Sequence, residues 1–292
     1  MGASAARERD VSLNMPDAPA TRHLTTNVGC EFHYDTPWAT AAVFVVRPLT
    51  DDRAQLLSET WSSEPYLPLR DYVDLYGNAC RRLVLPPGPV RVRYDAFVEV
   101  TGDLDPIDPR AEQHDPSELP DGVLIYTLPS RFAQSDLLGD EAWRRFGATK
   151  PGWERVQAIV DFVHHHLTFG YGSSIATTSA VDVFASGRGV CRDFAHLAIA
   201  FCRAMNVPAR YVFGYLPDID VPISPLPMDF CAWFEAFLGG RWWTFDPRNN
   251  QRRIARALIA RGRDALDVAM VTTFGRADLQ TMTVWADRTE TA

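Results

Sequence analysis

The stretch GRGVCRDFAHLAIAFCRAMNVP, residues 187–208, decides the fold of this chain. Within it Phe194, Leu197, Ala198, Phe201, Cys202 and Met205 recur at spacings of three and four, which predicts a helix over 191–205 with one buried apolar face. Asn206 and Pro208 supply its stop. Just upstream, Ser179 to Asp182 resembles a capping box with Asp in place of Glu, and it opens a short helix that ends in the Ser-Gly-Arg-Gly turn at 186–189. Cys191 therefore heads a buried helix immediately after a glycine turn. Unpaired N–H groups and the positive dipole end at such a position favour a thiolate, and the same amides can receive an oxyanion. Gly187 and Gly189 let backbone and substrate come close, and Arg192-Asp193 adds a polar pair beside the thiol. Cys202, in mid-helix on the apolar face, is an ordinary core residue.

Downstream the pattern turns to strands. ARYVFGYL at 209–216 is followed by a Pro-rich loop over 217–227, then by CAWFEAFL and RWWTFD on either side of Gly239-Gly240. With those glycines as a two-residue turn, Leu238 pairs with Arg241, Ala236 with Trp243 and Trp233 with Asp246. Residues 231, 233, 235 and 237 then share a face with 242, 244, 246 and 248. Cys231 and Asp246 become diagonal neighbours, roughly 7 to 8 Å apart at the backbone. Trp233 faces the site side, while Trp243 and Phe245 face the core.

The rest of the 292 residues sort around this centre. Runs with period-two alternation (CEFHYD, AAVFVVRP, RRLVLP and VRVRYDAFVEV) predict an antiparallel β-sandwich over 26–104, preceded by a flexible arm at 1–25. A Pro- and Asp-rich linker covers 105–135, a helix-and-sheet core 136–250, and the tail at 251–292 is expected to complete that core with further strands. The fold class is therefore α+β. Net charge is −8, with 29 basic and 37 acidic residues and no basic stripe, so nucleic acid is not an expected partner. No run approaches the roughly 20 apolar residues of a membrane span, and the first 24 residues lack a secretory apolar stretch, so a cytoplasmic protein without membrane contact is expected. Five scattered cysteines do not make a disulfide framework.

GRGVCRDFAHLAIAFCRAMNVPARYVFGYL followed by MDFCAWFEAFLGGRWWTFDPRNN resembles the transglutaminase-like superfamily, in particular its bacterial branch with an N-terminal β domain. The resemblance spans most of the chain, with 260–275 similar to that branch's C-terminal extension. It implies a papain-type core, a Cys nucleophile at the helix start, a His base on the next strand and an Asp that orients the His. Those positions fall on Cys191, Cys231 and Asp246, so the histidine of the family's His-Ala-Trp is a cysteine here. A Cys becomes an anion where a His becomes a cation, and two thiolates beside Asp246 would repel. His196 lies about 140° around the helix from Cys191 and faces elsewhere, and His164, His165 and His166 suit the C-terminal end of a preceding helix.

Three functions fit these residues. In one, a cysteine enzyme hydrolyses an amide or transfers an acyl group through Cys191, with altered base chemistry at Cys231, Trp233 and Arg192 at the substrate, and no cofactor. In another, Cys191, Cys231 and Asp246 ligate Zn²⁺ with an open position for water. In the third the core is a degenerate binding module, its two cysteines free or joined. The substrate is expected to be a small-molecule, peptide or protein amide.

Overall fold

A computed structural model describes residues 22–289. The sequence's N-terminal half folds as a sandwich because its strands alternate. In β1 (His23–Thr36) Val28, Cys30, Phe32 and Tyr34 point inward, as do Val90, Val92, Tyr94, Ala96 and Val98 of β6 (Gly88–Thr101). Between them in the chain come β2 (Thr40–Phe44), β3 (Ala54–Glu64), β4 (Arg70–Val73) and β5 (Ala79–Leu85). The predicted arm is two-part: residues 1–21 lie outside the described residues, and His23 to Thr25 already belong to β1, paired with β6.

The linker is more ordered than its composition suggests. It holds the short helix α1 (Asp121–Leu124), and Leu119, Val123 and Tyr126 pack against Phe237 and Trp242 at the far end of the core hairpin. Helices α2 (Gly139–Phe146) and α3 (Trp153–His166) follow, then the two-residue strand β7 (Thr168–Phe169). The capping box forms at α4 (Ala180–Ser186): the Asp182 carboxylate accepts from Ser179 N at 2.9 Å, and Ser179 Oγ accepts from Asp182 N. Gly187 ends that helix in the left-handed region, at φ 68°.

After β8 (Arg188–Gly189), α5 (Cys191–Ala204) runs through the core, and Asn206 at φ 59° turns the chain out of it. The core sheet is antiparallel, in the order β11 (Arg241–Phe245), β10 (Cys231–Leu238), β9 (Ala209–Tyr215), β12 (Ala257–Gly262). The Gly239-Gly240 turn has φ 56° and 81°, and the pairs Leu238–Arg241 and Ala236–Trp243 stand in the predicted register, although the ladder ends at Phe234–Phe245, short of Trp233 and Asp246. One face of β10 (Ala232, Phe234, Ala236, Leu238) joins the main core, together with Trp243 and Phe245. On the other face Cys231 and Trp233 form a smaller cluster with Val212, Leu216 and Leu258.

The tail corrects one expectation. Only β12 enters the core sheet; β13 (Val271–Thr273) pairs with β2 and β14 (Asp278–Arg288) with β1, so the chain's end completes the sandwich. Val284 and Ala286 alternate inward to match β1, and alternation identifies a half-buried strand without saying which sheet receives it. The two units meet around Tyr215, fully buried, whose hydroxyl donates to Val46 O at 3.0 Å. Removing it as Tyr215→Phe should lower unfolding stability by about 1 kcal/mol, read from the urea midpoint.

Candidate active site

Cys191 takes its place from three local decisions of the sequence. Gly189 lets α5 begin: a Cβ there would lie 2.7 Å from Asp193 Cβ. Asp193, fully buried, accepts from Val190 N at 2.8 Å and so closes the first turn. Arg192 then bonds Asp193 Oδ1 at 3.1 Å, Ser174 Oγ at 2.7 Å and Ile175 O at 2.9 Å, tying the loop after β7 to the helix start. Packing of α5 on β10 brings the half-buried Cys191 thiol against the buried Cys231, with a contact at 3.7 Å to Phe230 O.

The two thiols face each other where α5 packs on β10, and their environments pull their pKa values in opposite directions. Donation from Cys231 pulls the Cys191 pKa down; burial opposes it, while the Ala232 N–H and the charge of Arg248 add to it. Cys231 moves up instead, through the same bond, burial, and the negative charge of Asp246 and Cys191. The arrangement favours the thiolate on Cys191 and the proton on Cys231, which avoids the repulsion expected of two thiolates. Arg248 lines the same cleft; burial works against its charge, but the negative charge of the two sulfurs and Asp246 outweighs that and raises its pKa. Its guanidinium lies 4.1 Å from the Phe169 ring centroid. Its backbone is held by His164, whose Nδ1 lies 3.1 Å from Pro247 O and 3.0 Å from Arg248 O and must therefore be the protonated nitrogen.

Asp246 does not bond either thiol. It accepts from Asn249 N at 3.0 Å, Asn249 Nδ2 at 2.8 Å and Arg256 Nη2 at 2.9 Å. Burial pushes its carboxyl up, but Arg256 and Asn249 outweigh that and hold it below the usual carboxylate range. Arg256 is itself buried, bonded through Nε to Asp105 Oδ2 at 2.8 Å and stacked 4.7 Å from Trp233. Trp233 is 1% exposed and does not line the cleft at Cys191, so it supports Arg256 and is not a substrate contact. The zinc reading lacks its third ligand: among the described residues no three His, Cys, Asp or Glu side chains are arranged to hold a metal, and the Asp246 oxygens are taken up by Asn249 and Arg256.

Cys191, Cys231 and Arg192 open on a cleft of about 800 Å³. Its walls are the 169–176 loop, the Pro-rich loop through Asp229, the segment 248–253 and the residues from 265 to Val271 at the start of β13. No histidine lines it. His196 is buried, stacked on Phe132 and accepting from Ala265 N at 3.1 Å; His165 and His166 bond the carbonyls of Asp161 and Phe184. Sequence reasoning missed Arg248, Asn249 and Arg256. A signal existed for the first two, since the family-like DPRNN places both within three residues of Asp246.

A sequence profile of the Transglutaminase-like superfamily matches residues 142–247. A candidate cysteine protease from Cytophaga hutchinsonii, solved as a crystal structure, is 31% identical; the match covers 93% of this chain and 93% of that one, with a TM-score of 0.83. The chain belongs to the transglutaminase-like superfamily. An uncharacterized protein of Mycobacterium leprae is 36% identical over 117 residues, covering 39% of this chain and 42% of that protein. Another, from Mycobacterium tuberculosis, is 31% identical over 162 residues, covering 52% and 47%. The chain thus spans less than half the length of these curated relatives. Fold and family together support a cysteine-type enzyme, and this transglutaminase-like core carries Cys231 where the resemblance calls for histidine. Among the described residues no helix is long and apolar enough to cross a membrane.

If Cys231 and Arg248 hold Cys191 as the thiolate, the rate of Cys191 alkylation by iodoacetamide should titrate with a midpoint below that of a free thiol. Both Cys231→Ala and Arg248→Met remove causes that lower the pKa, so each should move the midpoint upward, measured by rates across a pH series.

Proposed function

We infer that this chain is a transglutaminase-like cysteine enzyme acting on an amide or acyl substrate through a thioester on Cys191, with Cys231 as proton donor and acceptor. The observation that carries the reading is the pair of thiols, Cys191 at the head of α5 and Cys231 on β10, that line one cleft together with Arg248. The Cys191 thiolate attacks the carbonyl carbon. Asp193 and Phe194 N–H already bond Val190 O at 2.8 and 3.2 Å, so the amides of Cys191 and Arg192 are the ones to receive the oxyanion. As the tetrahedral intermediate collapses, the Cys231 S–H protonates the leaving amine.

That donation becomes easier at the right moment. The first cause of the raised Cys231 pKa is its bond to the Cys191 thiolate, and acylation removes that anion. The new Cys231 thiolate pairs with Arg248, which supplies the cation that an imidazolium would otherwise be. It then accepts a proton from water or an amine, and the acyl group leaves Cys191 by hydrolysis or transfer. The cleft is open and lined by both apolar and charged side chains, which suits an extended peptide-like amide. Five unpaired cysteines favour a reducing, cytoplasmic setting.

An activated p-nitrophenyl ester tests this. Intact mass should show one acyl adduct, on Cys191, and Cys191→Ala should abolish both adduct and turnover. Cys231→Ala should still acylate but deacylate roughly 10²-fold more slowly. Full turnover by Cys191→Ala would sink the reading.

A further inference from the structure

Nothing in acyl transfer requires the proton-holding group at position 231 to be a sulfur. A sulfur there gives the site a chemistry that an imidazole lacks. Cys191 is half-buried, Cys231 is buried, and both line the same cleft where α5 packs on β10. The remaining cysteines cannot compete. Cys30 sits in the sandwich core under Tyr215, Cys80 on β5, and Cys202 within α5, all buried and none lining the cleft. The packing of α5 on β10 therefore selects one pair out of five thiols.

We propose that Cys191 and Cys231 form a redox modification site, closing a reversible disulfide when the protein meets hydrogen peroxide. The Cys191 thiolate attacks one peroxide oxygen; an S–O bond forms, the O–O bond breaks and hydroxide leaves. The Cys231 sulfur then attacks the Cys191 sulfur as its S–H proton departs. The S–S bond forms, the S–O bond breaks, and the oxygen leaves as water with that proton. Two electrons have passed from the sulfur pair to one peroxide. Closing the bond brings the two sulfurs to about 2.0 Å of each other, between side chains that already line one cleft. Because the resolving thiol is in contact with the sulfenic acid, resolution outruns the second oxidation that would destroy Cys191 irreversibly. A site with histidine behind the nucleophile has no such protection.

Loss of turnover on oxidation rests on Cys191 being the nucleophile of the proposed reaction, whereas formation of the bond does not. The test is made on the full chain, reduced, desalted and treated with a small molar excess of hydrogen peroxide. Trypsin separates the relevant thiols, because Cys191 lies in the fragment 189–192, Cys202 in 193–203 and Cys231 in 211–241. The expected result is an intact monomer lighter by two hydrogens, a cross-linked pair of fragments 189–192 and 211–241, and full return to the free thiols with dithiothreitol. In Cys231→Ser the fragment 189–192 should instead gain two or three oxygens that dithiothreitol does not remove. Wild-type protein that gains those oxygens at Cys191, links Cys202, or leaves Cys191 unoxidised overturns the proposal. Should the disulfide form while the ester leaves no adduct, the nucleophile reading falls and the redox site stands.

Discussion

The buried guanidinium of Arg256 is the constraint on which the rest of this structure depends. It bonds Asp105 of the linker and Asp246 at the end of β11, and the Trp233 ring lies over it. Asp105 in turn accepts from Arg53 of the sandwich at 3.1 Å and from Arg253 N at 3.0 Å. One charge cluster therefore joins the sandwich, the linker and the back of the thiol site. Charges taken out of water are costly unless each finds partners, and removal of one leaves the others stranded. Each carboxylate of the cluster has a guanidinium partner, and the loop carrying Arg248 and Asn249 starts from it.

From that anchor the charge pattern of the cleft follows. Arg256 and Asn249 keep Asp246 ionised, and the fixed negative charge behind Cys231 makes a second anion there unfavourable. The proton is therefore favoured on Cys231 and the negative charge on Cys191. Arg248, held from below by His164 and stacked on Phe169, then faces a site with one net negative sulfur. Helix dipole, thiol donor and guanidinium all act on Cys191 in the same direction, against burial.

Much of this was legible in the sequence because it rests on local rules. The helix over 191–205, its stop at Asn206, the capping box at Ser179 and the glycine hairpin each obey short-range periodicity or turn chemistry. Cys191 and Cys231 were found the same way, one at a helix start and one by register. What stayed hidden is long-range. Alternation in β14 marked a strand without naming β1 as its partner, 243 or more positions upstream, and the charge of Arg248 gave no hint of which groups it would face. Trp233 was assigned to the correct face of β10, but that face is covered by Arg256 and the small cluster around Leu258, so the ring never reaches the cleft.

The replacement at position 231 also changes what Asp246 does. Beside an imidazole, the resemblance implies a carboxylate that orients the ring and favours its cationic form. Beside a thiol, the same negative charge favours the neutral form and so preserves a donor. Asp246 meets the second requirement without touching the sulfur, since its oxygens are engaged by Arg256 and Asn249. A carboxylate bonded directly to position 231 would take up the Cys231 proton, and Cys191 would lose the neighbouring donor that lowers its pKa. The engagement of Asp246 by Arg256 is thus what allows a cysteine to stand where the family resemblance expects a histidine while the thiolate stays favoured at Cys191.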